Sequence, residues 1–133
     1  MDALYFFVLA AVIASFGISI ALRSSMEKLV LEPETLPQIQ SKFFISVAII
    51  EVLPIILIVL GFIGLMDSTA SAFIPLVIVG ATVLINFIIN LMKKSALESQ
   101  APDLKEKLMT FFLMGNVLMT ALPIVAVVAT FIR

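Results

Sequence analysis

The sequence predicts an all-α membrane protein, four transmembrane helices arranged as two parallel-repeat helical hairpins. Three observations predict it. Of the 133 residues, 62% are hydrophobic and 13% charged, whereas soluble domains are roughly half apolar and a quarter charged. Four apolar runs, at 3–22, 43–66, 68–92 and 108–132, each reach the ~20 residues that a helix needs to cross the hydrocarbon core. The chain also repeats itself sixty-nine residues on. Pro33-Glu34 returns as Pro102-Asp103, Phe43 as Phe112, and Leu53-Pro54-Ile55 as Leu122-Pro123-Ile124. The two expected units are 1–66, a hairpin with a carboxylate, and 67–133, a diverged hairpin without one.

The first run carries no charge, and no positive segment of the secretory type precedes it, so it reads as an uncleaved spanning helix. Ser15, Gly17, Ser19 and Ala21 stand at alternate positions, with Ala10 and Ala14 before them. In a bilayer, small residues mark close helix–helix contacts. That contact lies either between copies, as an inner ring of first helices, or within one molecule. Residues 24–31 mix charges without Gly, so the helix continues out of the bilayer until Pro33 stops it. The second run contains Glu51, with Pro54 one turn on. A break near 64–72 holds Asp67 and separates runs two and three. Run three carries Asn86 and Asn90 and continues through 93–100 to Pro102. Run four carries Asn116, Thr120 and Pro123. The runs are too long for strands and show no strict alternation.

Seven of the eight Lys and Arg residues lie in 23–42 or 93–107. The positive-inside rule places both segments in the cytoplasm and both termini outside. No basic arm suggests nucleic acid. The chain has no Cys and no His, which removes disulfides, zinc sites and Cys or His catalysis. No nucleotide loop and no nucleophile with a base is present. No catalytic site of its own, metal or cofactor is expected.

Glu51 is the one Asp, Glu, Lys or Arg inside any of the four runs. An intramembrane carboxylate is costly and marks a functional site by default. A carboxyl group in a low-dielectric site gives up its proton reluctantly. It crosses lipid neutral and ionises where water or a cation meets it, which is what an ion carrier requires. The bland alternative is a Glu that hydrogen-bonds a neighbouring helix. In the second half Thr120 stands in place of the carboxylate. Asn86 and Asn90, and likewise Asn116 and Thr120, are four apart and share a helix face. They form either a neutral hydrogen-bond ladder replacing the lost site or, through Asn86, a support for protonated Glu51. Pro54 and Pro123 are placed to kink their helices near this depth.

From Pro33-Glu34 through Phe43 to Ile50-Glu51-Val52-Leu53-Pro54-Ile55-Ile56, the chain resembles the c-subunit (proteolipid) family of F-type ATP synthase. The spacing from Pro33 to Glu51 is similar to that of the family's prokaryotic form. The small stripe of Ser15, Gly17, Ser19 and Ala21 matches the family's first helix. The resemblance covers the first hairpin almost completely and the second as a diverged copy. It implies a proteolipid in a bacterial cell membrane, forming a homo-oligomeric ring. It also implies H⁺ or Na⁺ carried on Glu51, with Gly17, Ser19, Pro54 and Asn86 as candidate support. The partner would be the ATP synthase a-subunit, supplying an Arg, so the chain would be a non-catalytic part of a proton-translocating ATPase. Na⁺-binding members supply a first-helix Gln and a hydroxyl after the carboxylate. Here Val52 follows Glu51 and run one lacks Gln, which favours H⁺. The family's loop Arg-Gln is Leu31-Glu32 here. Two alternatives stay open: a non-rotary relative with an assembly or structural role, and a small channel or transporter component.

Overall fold

A computed structural model of the chain describes residues 3–65 and 73–132. The expected unit boundary at 66 and 67, and Asp67 with its break, lie outside the described residues. Four helices account for almost all the rest: α1 (Ala3–Leu31), α2 (Leu36–Gly64), α3 (Phe73–Gln100) and α4 (Lys105–Ile132). All four are long and apolar enough to cross a membrane. The 29 residues of α1 extend about 43 Å at 1.5 Å per residue. A hydrocarbon core of about 30 Å therefore leaves its last two turns outside, where its charges begin.

The turns are built alike. Glu32 (φ −135°, ψ 69°) leads into a 3₁₀ turn at Pro33–Thr35. Ala101 (φ −138°, ψ 75°) leads into one at Pro102–Leu104. The hydrogen bonds repeat with them: Glu32 N–H donates to Lys28 O at 2.8 Å, and Ala101 N–H to Leu97 O at 2.9 Å. Proline has no N–H to extend the helix and fixes φ for a new start. The same two prolines therefore produce the same reversal, although most other turn residues differ.

Helix α1 is the hub. It packs against α2, α3 and α4, and α3 packs against α4. Two apolar clusters hold the bundle. One gathers Leu29 of α1, Leu97 of α3 and Leu104 of the second turn, so both turns lie at one end and the repeat is parallel. The other joins Phe7 of α1 to Val79 and Ala129 near the opposite ends of α3 and α4. Helix α2 is the outermost. Ile45, Ile49, Val52, Ile55 and Ile63 leave its surface apolar almost all round and exposed. Such a surface is suited to lipid or to another apolar helix.

Candidate functional site

Glu51 lies in mid-α2, half-buried. It stands eight residues past the start of its apolar run, about 12 Å into the core at helical rise. Among the described residues no side chain hydrogen-bonds or ion-pairs with it. Val52 and Leu53 beside it are exposed, whereas Pro54 one turn on is buried. Pro54 lacks the N–H that would bond the Ile50 carbonyl, so the helix backbone is weakened immediately before the carboxylate.

The stripe of small residues divides between two faces of α1. Gly17 faces α2: a Cβ there would stand 2.6 Å from Ile50 Cγ2. Ser15 and Ser19 are fully buried, and Ser19 faces the second hairpin. Its hydroxyl donates to Met119 Sδ at 2.8 Å and accepts from Asn90 Nδ2 at 3.2 Å. Within this molecule, Ser15, Ser19 and Ala14 are thus taken up by internal packing.

Asn90 is the centre of a polar seam between the hairpins. It is fully buried. Besides Ser19, its amide reaches Asn116 Oδ1 at 3.5 Å, and its carbonyl oxygen accepts from Arg23 Nη1 at 3.0 Å. Asn116 also donates to Phe112 O at 2.6 Å. Lys93 Nζ meets Glu27 Oε2 at 3.3 Å further toward the turns. Thr120 turns back on its own helix, donating to Asn116 O at 3.0 Å. Asn86 donates to Thr82 O at 2.9 Å. The Oδ1 of Asn86 and the Oγ of Ser15 are buried without a partner among the described residues. The structure therefore brings Ser19, Asn90 and Asn116 together and directs Asn86 and Ser19 to partners other than Glu51.

Sequence reasoning used Arg23 only for topology and missed its bond to Asn90. The available signal was its spacing: Arg23 is four residues after Ser19, on the same helical face. Lys94 was missed too. It is buried at the turn end of α3, its Nζ 5.4 Å from the Phe112 ring centroid. It also makes a 2.9 Å charge contact with Glu98 Oε1, without the alignment of a hydrogen bond.

Four apolar helices, paired by charged turns at one end, with one carboxylate in mid-span, define an integral membrane protein of the helical-hairpin class. The comparison with known families is specific for its first half. Residues 3–64 match the family model of the ATP synthase C subunit, so the first hairpin is similar to that family. No curated protein and no solved structure matches the chain significantly.

Proposed function

We propose that this chain is a proton-carrying proteolipid of the c-subunit type, working by reversible protonation of Glu51 in an oligomeric ring. The observation that carries the reading is the placement of Glu51. The family-matching hairpin presents one carboxylate in mid-membrane, on the outermost helix, with no competing partner among the described residues. A carboxyl so placed is free to exchange its proton with water or with a cation supplied by a neighbour. The Arg of an ATP synthase a-subunit is the partner the reading requires. The basic turns at 23–42 and 93–107 face the cytoplasm on the charge rule, in a bacterial cell membrane.

Proton is favoured over sodium. Sodium needs several oxygen ligands. Val52 follows the carboxylate, and Ser19 is engaged with Asn90 and Met119. The test is carbodiimide labelling of the detergent-solubilised protein, read by peptide mass spectrometry across pH with and without sodium. Such reagents attack a protonated carboxyl in an apolar site. Selective modification of Glu51 that fades in alkali and ignores sodium is the expected result. Protection by sodium at constant pH would overturn the ion assignment. An unlabelled Glu51 beside labelled turn acids would overturn the carrier reading. That outcome would favour a non-rotary assembly role, to which the exposed Leu31-Glu32 also points.

A further inference from the structure

The first turn carries a cationic cleft that the repeat does not share. Lys28 near the end of α1, Glu32 and Thr35 around the turn, and Gln38 and Lys42 on α2 line it. Its volume, about 420 Å³, equals that of roughly fourteen waters at about 30 Å³ each, and a phosphoglycerol group has about ten heavy atoms. Lys93 and Lys94 are paired with Glu27 and Glu98. Lys28 and Lys42 are exposed and have no ion pair among the described residues. Thr35 commits its hydroxyl proton to Glu32 O at 2.8 Å. The free donors are therefore two ammonium groups and the Gln38 amide. Two lysines against Glu32 leave the cleft with one net positive charge. Sixty-nine residues on, Leu97 and Phe111 stand in place of the lysines and are buried in the core.

The cleft lies at headgroup depth. Gly17 of α1 meets Ile50 of α2. Eleven residues nearer the turn on each helix are Lys28 and Ile39, which share the lining of the cleft. The apolar run of α2 starts at Phe43. At helical rise, Lys42 stands at the core edge and Lys28 about 6 Å outside it. The headgroup layer on one side of a bilayer is about 5–7 Å deep. Toward the membrane centre, Ile45, Ile49 and Ile56 follow Gln38 and Lys42 along one face of α2. They are 60%, 68% and 51% exposed. A cationic cleft at the interface thus continues into an open apolar track, the outline of one phospholipid.

We infer that this cleft binds the phosphodiester of a monoanionic phospholipid in the turn-side leaflet, with an acyl chain lying along Ile45 and Ile49. Basic pockets between transmembrane helices take anionic head groups. The two ammonium groups meet the phosphate oxygens, and Gln38 donates to the rest of the headgroup. The net charge selects among phosphates. A monoester with two charges leaves one unmatched beside Glu32, and a zwitterion gains no net attraction. Inorganic phosphate offers the same anion but no chain for the apolar track, so lipid is the occupant. The site concerns the first turn and the exposed face of α2, and it stands whether or not Glu51 carries protons.

The test uses the absence of native Trp. Ile45→Trp places a single indole on the track, just inside the core. This variant is reconstituted in phosphatidylcholine vesicles that contain increasing fractions of lipid brominated on its acyl chains. Quenching by brominated phosphatidylglycerol, set against brominated phosphatidylcholine, gives their relative affinity. One net charge at the membrane surface corresponds to about a fivefold preference for phosphatidylglycerol, which is the expected result. Adding Lys28→Gln with Lys42→Gln should abolish the preference, and Lys28→Arg with Lys42→Arg should retain it. Lys105→Gln with Lys107→Gln removes the same charge from the second turn and should leave it unchanged. An equal fall in that pair would reduce the effect to general surface charge and overturn the site. Equal quenching by the two lipids before any lysine is replaced would overturn it as well. Stronger quenching by brominated phosphatidylethanolamine would put a zwitterion in the cleft, its ammonium on Glu32, and refute the headgroup assignment. Loss of the preference on adding millimolar inorganic phosphate would make free phosphate the occupant in place of lipid.

Discussion

Asn86 and Asn90 are the same residue type, one helical turn apart and equally buried, so replacing each with Leu makes the same steric change. Their bonding differs. Asn90 joins α1 and α4 through Ser19 and Asn116 and accepts from the Arg23 guanidinium. Asn86 bonds only its own helix backbone, and its Oδ1 has no partner among the described residues. Interhelical hydrogen bonds in membranes average about 0.6 kcal/mol, and bonds to a charged group contribute about 1.5–3 kcal/mol. Asn90→Leu should therefore destabilise the bundle by roughly 2–3 kcal/mol, part of it from leaving Arg23 unpaired. Asn86→Leu removes an unsatisfied buried acceptor and should change stability by no more than about 0.5 kcal/mol, or raise it. Reversible unfolding in mixed micelles, followed by circular dichroism or steric trapping, measures the difference. Equal losses for the two variants would refute the assignment of the polar seam to Asn90, because steric change alone would then account for both.

Other perturbations follow from close approaches and from the turns. Gly61→Ala places a Cβ 2.7 Å from the Phe7 ring. That ring is 1% exposed and meets Phe62 edge-on at 5.0 Å, so it has little room to move. The same unfolding assay should show a loss of about 1–3 kcal/mol, whereas Gly80→Ala, on open surface, should be silent. Pro54→Ala restores an amide to α2 and should straighten it. Carbodiimide modification of Glu51 should slow in this variant while helix content by circular dichroism stays constant. Glu51→Gln should abolish both that modification and proton translocation by reconstituted assemblies, with no change in oligomer size.

Much of this arrangement was legible in the chain because local physics fixes it. Proline cannot continue a helix, so Pro33 and Pro102 announced two turns, and the shared backbone angles show how far that constraint reaches. Charged stretches without Gly announced that α1 and α3 outrun the bilayer. What each face of α1 meets was not legible. Ser15, Gly17 and Ser19 mark close approach without naming the partner. Gly17 goes to α2 and Ser19 to the second hairpin, since alternate residues on a helix lie about 200° apart. The split between Asn86 and Asn90 was equally hidden, because it depends on Arg23 arriving from another helix.

Covalent fusion of two hairpins has a consequence for parity. A closed assembly of whole copies holds an even number of hairpins, and its carboxylates recur at every second one. The angular step between successive charges is then twice the step between hairpins. The seam within each copy is tied by Asn90, Arg23 and Ser19. In such an assembly the rigid unit would be the four-helix chain rather than the single hairpin.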